Sequence, residues 1–266
     1  HLMGRYALTG PDEKGALEFL YAHNTTHFLI DSTDIGKYSA FSNIGSDVNY
    51  DRASFIPTFL RDRNQVQERK NSTLFVYNAG IGLDEDIIYE LNGSKVFLPS
   101  GQAGLGGVLV ERNSEERIVE PVKGVYIYQG NQYTIPFRYV FDNGELIDFG
   151  EGLEAGVFVY PLVVQSEAGL QLDRYGAMLY LSRRTVDSQL ARIYLYGEEN
   201  AFKLVHSEDD FLVSQIKSQN PSFGEDFVYY GGFRGPIKIW EIEYPADIEY
   251  KEEFIDTRYP EELALA

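Results

Sequence analysis

The stretch Tyr133-Thr134-Ile135-Pro136-Phe137-Arg138-Tyr139 decides the fold class, because its side chains change character at every second position. Aromatic and aliphatic residues occupy the odd positions, and threonine, proline and arginine lie between them. A period of two is typical of a β-strand with one buried face. Turn signals flank the stretch at Gln129–Gln132 and Asp142–Gly144. The sequence therefore predicts a strand from Tyr133 to Phe141 between two turns.

Working outward from this strand, short apolar and β-branched runs recur on both sides and are separated by turn residues. They predict further strands at Thr73–Tyr77, Ile87–Leu91, Lys95–Leu98, Val108–Glu111, Val125–Tyr128 and Val157–Val164. The segment Ser100–Gly107 has four glycines and is predicted to be a loop. Together these patterns predict an all-β insertion over residues 71–165.

The flanking segments change to mixed helix and strand patterns. Ser32 or Thr33 can cap a helix that runs from Asp34 to about Ile44. After the insertion, strands are predicted at Phe202–Val205 and Ile237–Ile242. We therefore predict an α+β, β-rich fold in which residues 1–70 and 166–245 form a mixed α/β core around the insertion. Residues 246–266 are predicted to be an acidic C-terminal tail.

The charge of the chain limits its partners. The 23 lysine and arginine residues stand against 41 aspartate and glutamate residues, which gives a net charge of −18. Nucleic acids and anionic lipids bind through basic clusters, so we expect neither as a partner. The chain has no cysteine, which excludes disulfides, thiol nucleophiles and cysteine-ligated zinc. The four histidines have no metal-binding spacing, and no metal site is predicted here.

Three segments, in order, resemble the C-terminal domain of the AglB family of archaeal oligosaccharyltransferases and their eukaryotic relatives. The segment Phe28–Phe41, continued by Ile44-Gly45, resembles the DxxK motif of the family, with Asp34 and Lys37 three positions apart. The segment from Leu181 through Tyr194 to Val205 is similar to the conserved "SxRTx…RLYLF…FKLV" pattern, and Gly235–Ile242 to a "vKIWEV" ending.

This resemblance implies a membrane enzyme that transfers a lipid-linked oligosaccharide to the asparagine of an Asn-X-Ser/Thr sequon. The implied Mg²⁺ or Mn²⁺ ion and the catalytic residues belong to a membrane domain that this chain lacks, so the isolated chain is expected to be inactive. The WWDYG motif of the family, which recognises the Ser/Thr hydroxyl, is absent too, since Trp240 is the single tryptophan. We therefore expect an internal piece of a membrane protein, exposed on the extracytoplasmic face.

By the same resemblance, the residues expected to contact the acceptor are Asp34, Lys37 and Phe41. The family usually has Met or Ile at the position of Phe41. On a continuous helix these three side chains would share one face, where Lys37 can donate hydrogen bonds to the acceptor. The spacing alone fits equally a solvent-exposed ion pair without a binding role.

A second function stays open at this point. An acidic, β-rich extracellular domain can also be a glycan-binding or cell-surface structural module without catalysis. Its tyrosines at positions 126, 128, 133 and 139 could then form a face that stacks on sugars. Sequons at Asn24, Asn71 and Asn92 could themselves be modified.

Overall fold

The computed structural model describes residues 1–91, 93–167 and 169–255, and it confirms the predicted α+β, β-rich fold. The chain divides into two compact units. One unit comprises residues 1–56 and the residues from Arg184 onward, and the other comprises Pro57–Arg183. The second unit is thus inserted in sequence between the two halves of the first.

A three-stranded antiparallel sheet organises the first unit. Strand β1 (His27–Ile30) and strand β12 (Phe202–Glu208) lie on either side of the central strand β15 (Ile237–Ile242). Side chains alternate across this sheet, so Trp240 and Ile242 face the core, while Glu241 is exposed. The predicted strand Ile237–Ile242 is confirmed, because its period of two matches a sheet with one buried face.

Helices and a short hairpin complete the first unit. The helices are α1 (Glu13–Ala22), α2 (Ser32–Gly36), α3 (Tyr38–Gly45), α4 (Arg183–Val186, which begins at the boundary) and α5 (Phe211–Gln219). Two π-helical segments are Met3–Leu8 and Ala191–Leu195, a 3-10 turn covers Glu252–Phe254, and β13 (Val228–Tyr229) pairs with β14 (Phe233–Arg234). Asp12 caps α1 by accepting a hydrogen bond from the amide of Lys14.

Strands dominate the second unit. They are β2 (Thr58–Glu68), β3 (Ser72–Gly82), β4 (Ile87–Leu91), β5 (Ser94–Leu98), β6 (Gly104–Asn113), β7 (Lys123–Tyr128), β8 (Asn131–Asp142), β9 (Glu145–Asp148), β10 (Leu153–Ser166) and β11 (Gly169–Leu181). The main sheet has the order β10-β11-β2-β3-β6-β7-β8-β9, and β4 and β5 form a separate hairpin. A parallel pairing of β8 with β10 closes the strand order into a ring.

The interior of this closed sheet is the core of the second unit. Its inward side chains include Tyr77, Tyr126, Phe137 and Val140, which are all fully buried. At one place the core is ionic: the guanidinium of Arg112 makes a bidentate pair with Asp142, with N–O distances of 2.8 and 2.6 Å. The guanidinium carbon also lies 3.6 Å from the centre of the Tyr175 ring.

Two sequence-based boundaries differ from the structure. The insertion predicted at residues 71–165 is shorter than the observed unit, Pro57–Arg183. The unit also contains β2, which begins before residue 71, and β11, which follows residue 165, and these two strands pair with each other. The predicted loop Ser100–Gly107 is wrong at its end, since β6 begins at Gly104, where antiparallel pairing with β3 and β7 accommodates the glycines. Part of the predicted tail, residues 256–266, is outside the described residues.

The helix predicted from Asp34 to Ile44, with Ser32 or Thr33 as its cap, begins instead at Ser32 with Asp31 as its cap, and it is also divided. Lys37 separates α2 from α3, and its backbone angles, φ −91° and ψ −1°, depart from those of a regular helix. The amide of Lys37 is shared between the carbonyls of Thr33 and Asp34, and the preceding Gly36 is a poor helix former. None of the helices in the described ranges combines the length and apolar composition needed to cross a membrane.

Candidate functional site

The segment that contains the predicted acceptor residues begins where β1 ends. Phe28 and Ile30 point into the core, which fixes the direction in which the chain leaves the sheet. Asp31 then caps α2: its carboxylate accepts a 2.6 Å hydrogen bond from the amide of Thr33. Asp34 reciprocates by accepting a 3.1 Å hydrogen bond from the amide of Asp31. This capping box fixes the position of Asp34 through backbone contacts.

Lys37 lies beside this cap. Its Nζ atom donates a 2.7 Å hydrogen bond to the hydroxyl of Thr33 and lies 3.4 Å from Oδ1 of Asp34. The side chain of Lys37 is 55% exposed, whereas that of Asp34 is only 19% exposed. An ammonium has three donors. Within the described residues, two of them are engaged by Thr33 and Asp34, so the third can reach a ligand in solution.

Phe41 occupies the next turn, on α3. Its side chain is half-buried, and its backbone carbonyl lies against Gly4 of the π-helical segment, where an added Cβ would approach the oxygen to 2.7 Å. Lys37 forms the N-terminal end of α3, so Phe41 lies one turn beyond it. The structure therefore brings Asp34, Lys37 and Phe41 into one short segment, although the predicted continuous helical face is interrupted between Asp34 and Lys37.

Tyr194 is a buried tyrosine of the first unit whose pKa is affected by several carboxylates. Its hydroxyl donates a 2.7 Å hydrogen bond to the carbonyl of Pro236. Burial raises the pKa of Tyr194 far above its usual value, and the charges of four aspartates raise it further. These are Asp31, Asp34, Asp210 and Asp226. The start of α2 thus belongs to an acidic neighbourhood with a neutral, buried tyrosine beside it.

Sequence reasoning missed a buried lysine in this neighbourhood. Lys238 is only 8% exposed, and its Nζ atom lies 5.2 Å from the ring centre of Phe227 and 5.6 Å from that of Tyr194. Burial lowers the pKa of Lys238, and Asp226, at 3.9 Å, offsets this in part. The sequence indicates this burial, because Lys238 lies at every second position with Trp240 and Ile242 and therefore on the same face of β15.

A second lysine neutralises the adjacent carboxylates. Lys217 of α5 donates hydrogen bonds of 2.9 and 3.0 Å to Asp209 and one of 3.1 Å to Asp226. Asp210 caps α5 and lies 3.5 Å from Arg234. Asp209 and Asp210 of the acidic run at 208–210, which lacks a calcium-binding pattern, are thus engaged in ion pairs and capping. In the described part of the chain, no group of three or more His, Cys, Asp or Glu residues is placed to hold a metal ion.

The structure also places Arg192, the sequon residues and the tyrosines of the alternative sugar-stacking face. Arg192 pairs with Glu198 at 2.7 Å and with Glu13 at 3.4 Å, an internal ion-pair role. The sequon residues Asn24 and Asn71 are exposed in turns, and Asn92 lies outside the described residues. Of the tyrosines proposed as a sugar-stacking face, Tyr126 is fully buried.

Comparison of the chain with sequence models of protein families gives no match, and comparison with curated proteins gives none either.

Proposed function

We propose that this chain is the soluble, extracytoplasmic domain of a membrane oligosaccharyltransferase and that it helps to recognise the acceptor polypeptide. The reaction would transfer a lipid-linked oligosaccharide to the asparagine of an Asn-X-Ser/Thr sequon. The motif resemblance from Phe28 to Ile242 supports this proposal. Transfer chemistry, the Mg²⁺ or Mn²⁺ ion and the lipid-linked donor are assigned to a membrane domain outside this chain.

The observation that best supports the proposal is the arrangement around Lys37. Thr33 and Asp34 hold the ammonium at a break between two helices, while more than half of the side chain stays exposed. A positioned cation with a remaining donor can bind a backbone carbonyl of an extended peptide. Asp34 is fixed by the capping box, so binding would require little reorganisation of the lysine.

The proposed role of this segment is positioning. By holding one carbonyl of the acceptor, Lys37 would place the sequon at the entrance of the active site, and the half-buried ring of Phe41 would contact an apolar acceptor group. Fixing the reacting group in the correct geometry can contribute several kcal/mol toward a reaction barrier, about 7 kcal/mol in well-oriented systems. No proton transfer or covalent step is assigned to residues of this chain.

The test is glycan transfer to an Asn-X-Thr peptide by the full-length protein in membranes, with divalent metal and lipid-linked donor supplied. Lys37→Ala is compared with Lys123→Ala, because Lys123 is a similarly exposed lysine with an i,i+3 carboxylate partner, Glu120. We expect Lys37→Ala to reduce kcat/KM for the peptide at least about tenfold, a loss of about 1.4 kcal/mol, and Lys123→Ala to leave it unchanged.

The possible outcomes separate the alternatives. Equal activity of both variants and wild type would retain the enzyme class but reduce Asp34 and Lys37 to a surface ion pair. No transfer by correctly folded wild type would reject the proposed function and favour the glycan-binding module. The burial of Tyr126 weakens that alternative, since a buried ring cannot stack on a sugar.

A further inference from the structure

The segment that follows the candidate acceptor residues exposes apolar side chains on a firmly held backbone. Ile44 at the end of α3 is 59% exposed, and Val48 and Tyr50 in the following loop are 70% and 65% exposed. Single exposed apolar residues are ordinary, but here three exposed apolar side chains are concentrated within seven positions of one segment. We call these three residues the 44–50 patch.

Side chains on both halves of the first unit fix the loop that presents this patch. Arg5 makes a bidentate pair with Asp51 at 3.1 and 2.9 Å and also donates to the carbonyl of Gly45 at 3.0 Å. Arg184 donates to the carbonyls of Tyr50 and Ala53 at 3.2 and 2.8 Å. Both ends of the exposed turn are therefore anchored, and the backbone that carries its side chains has little conformational freedom.

Hydrogen bonds within the loop add to this bracing. Asp47 accepts from the amide of Asn49 at 2.8 Å through its side chain and from the amide of Tyr50 at 3.0 Å through its carbonyl. At the C-terminal side, Ser42 bridges the helix to Ser54 with bonds of 2.7 and 3.1 Å. The loop is thus a folded turn with defined geometry.

Tyr50 also has an unfavourable backbone conformation. Its φ angle is +54°, in the left-handed region that bulky residues rarely adopt. Such a conformation costs on the order of 1 kcal/mol and persists only where the surroundings impose it. A glycine or asparagine would suit this position better, yet the chain has a large aromatic side chain directed to solvent. Strain combined with an exposed aromatic anchor is typical of a binding surface.

The position of the patch indicates what it binds. Lys37, Phe41 and Ile44 follow one another at i, i+4 and i+7, so they lie along one side of α3. The rise from Lys37 to Ile44 is about 10 Å, and an extended peptide covers that distance with about three residues. A polypeptide that binds Lys37 through one carbonyl would therefore contact the patch with side chains at least three residues away from that carbonyl.

We infer that the 44–50 patch binds apolar side chains of the acceptor polypeptide three or more positions from the sequon. This inference rests on the proposed function and names a further recognition element of the same site. Ile44, Val48 and Tyr50 bury apolar area against such side chains, and the anchored loop reduces the entropy lost on binding. The acceptor preference then includes residues outside the Asn-X-Ser/Thr sequence.

Three fluorescent peptides titrated against this 266-residue chain test the inference by anisotropy. The first has Asn-X-Thr with Leu and Phe three to five positions away on both sides. The second keeps the sequon and has serines in place of the apolar flanks. The third keeps the apolar flanks and replaces the sequon with Gln-X-Ala. We expect the first peptide to bind at least about fivefold more tightly than the second.

The variant Val48→Ala/Tyr50→Asn should remove this preference and leave binding of the serine-flanked peptide unchanged. Asparagine tolerates the left-handed conformation of residue 50, and thermal unfolding checks that the variant is folded. The matched control is Ile88→Ala/Phe97→Ala, an exposed apolar pair on the β4–β5 hairpin, which should retain the preference.

Each result has one meaning. Equal affinity for the first two peptides, loss of preference in the hairpin control, or no binding of any peptide would overturn the inference. The first and third peptides should bind alike, because this chain lacks the WWDYG motif and Lys37 binds a backbone carbonyl. Failure of the full-length wild-type protein to transfer glycan would instead contradict the proposed function. A preference that disappears only in the Val48/Tyr50 variant supports the assigned patch.

Discussion

Asp34 accepts a 3.1 Å hydrogen bond from the backbone amide of Asp31, and Asp31 in turn caps the helix that contains Asp34. One carboxylate oxygen of Asp34 therefore serves the fold, while the other lies 3.4 Å from the ammonium of Lys37. A loss of function after mutation of Asp34 could come from either contact. The two contributions are separable because they depend on different properties of the side chain.

The first prediction uses substitutions at Asp34 and Lys37. Asp34→Ala removes half of the capping box and should lower the free energy of unfolding by about 1 kcal/mol. Asp34→Asn retains an acceptor oxygen and should recover most of that stability, yet it should still weaken peptide transfer because Lys37 loses its charged partner. Lys37→Ala should cost only a few tenths of a kcal/mol, about 0.3.

Urea unfolding of the isolated chain measures the stability part, and transfer by the full-length protein measures the functional part. If Asp34→Asn were fully active, the charge of Asp34 would have no part in acceptor binding. If Asp34→Ala were as stable as wild type, the capping box would contribute nothing measurable.

The second prediction concerns the buried ion pair of the closed sheet. Asp142→Ala leaves the guanidinium of Arg112 buried without its carboxylate, and we expect a loss of about 3–5 kcal/mol in stability. Arg112→Met/Asp142→Leu, which removes both charges, should recover much of this loss. Asp148→Ala breaks an exposed pair with Arg138 and is the control, with little change expected. Chemical denaturation measures the stability of all three variants. Equal losses of stability in Asp142→Ala and Asp148→Ala would contradict the prediction.

The third prediction is a pH dependence in the loop that presents the 44–50 patch. Burial would raise the pKa of Asp51, but hydrogen bonds from Arg5 and from the amide of Asp47 outweigh it, so the pKa lies below its usual value. A carboxyl with a lowered folded-state pKa stabilises the fold above its unfolded pKa of about 3.9, and this stability is lost as the pH falls through the folded value.

Asp51→Asn should therefore unfold at a lower temperature than wild type at pH 7, and the difference should shrink as the pH falls below about 4. Thermal melts of both proteins at several pH values provide the measurement. Because other acidic groups titrate in both proteins, the difference between them isolates Asp51. A difference that is independent of pH would show that the charge of Asp51 is unimportant.

The fourth prediction concerns the glycine against which α3 packs. In Gly4→Ala the new Cβ would come within 2.7 Å of the carbonyl oxygen of Phe41 and 3.3 Å of the amide of Gly45. Backbone atoms cannot yield without moving α3, so we expect a loss of about 1–3 kcal/mol. Gly36→Ala is the matched control, because no atom lies within 4 Å of its added Cβ, and alanine favours a helix by up to about 1 kcal/mol. Similar melting temperatures for the two variants would contradict the close packing.

The secondary structure of a segment is predictable from the sequence when its own residues have a strand-like or helix-like pattern. Tyr133–Tyr139 alternates at every second position, Ile237–Ile242 is rich in β-branched and aromatic residues, and both are strands in the structure. Strand β2 was not predicted, because its polar centre, Asp62–Gln65, has no period. It is a strand because β11 pairs with its start, Thr58–Leu60, and β3 pairs with it on both sides of Asp62–Gln65, where the register shifts. Pairing with neighbours can impose a strand on residues that have no intrinsic preference for one.

The candidate site likewise has some features that the sequence predicts and others that depend on the fold. The sequence by itself determined that a helical segment containing Asp34, Lys37 and Phe41 follows β1, because helical spacing is a local property. It misplaced the start, since α2 begins at Ser32 and its cap is Asp31. Only the tertiary structure decided which residues anchor the loop that presents the 44–50 patch and that Lys238 is buried close to Asp226. Those features depend on Arg5, Arg184 and Phe227, which are distant in sequence and meet their partners only when the chain is folded.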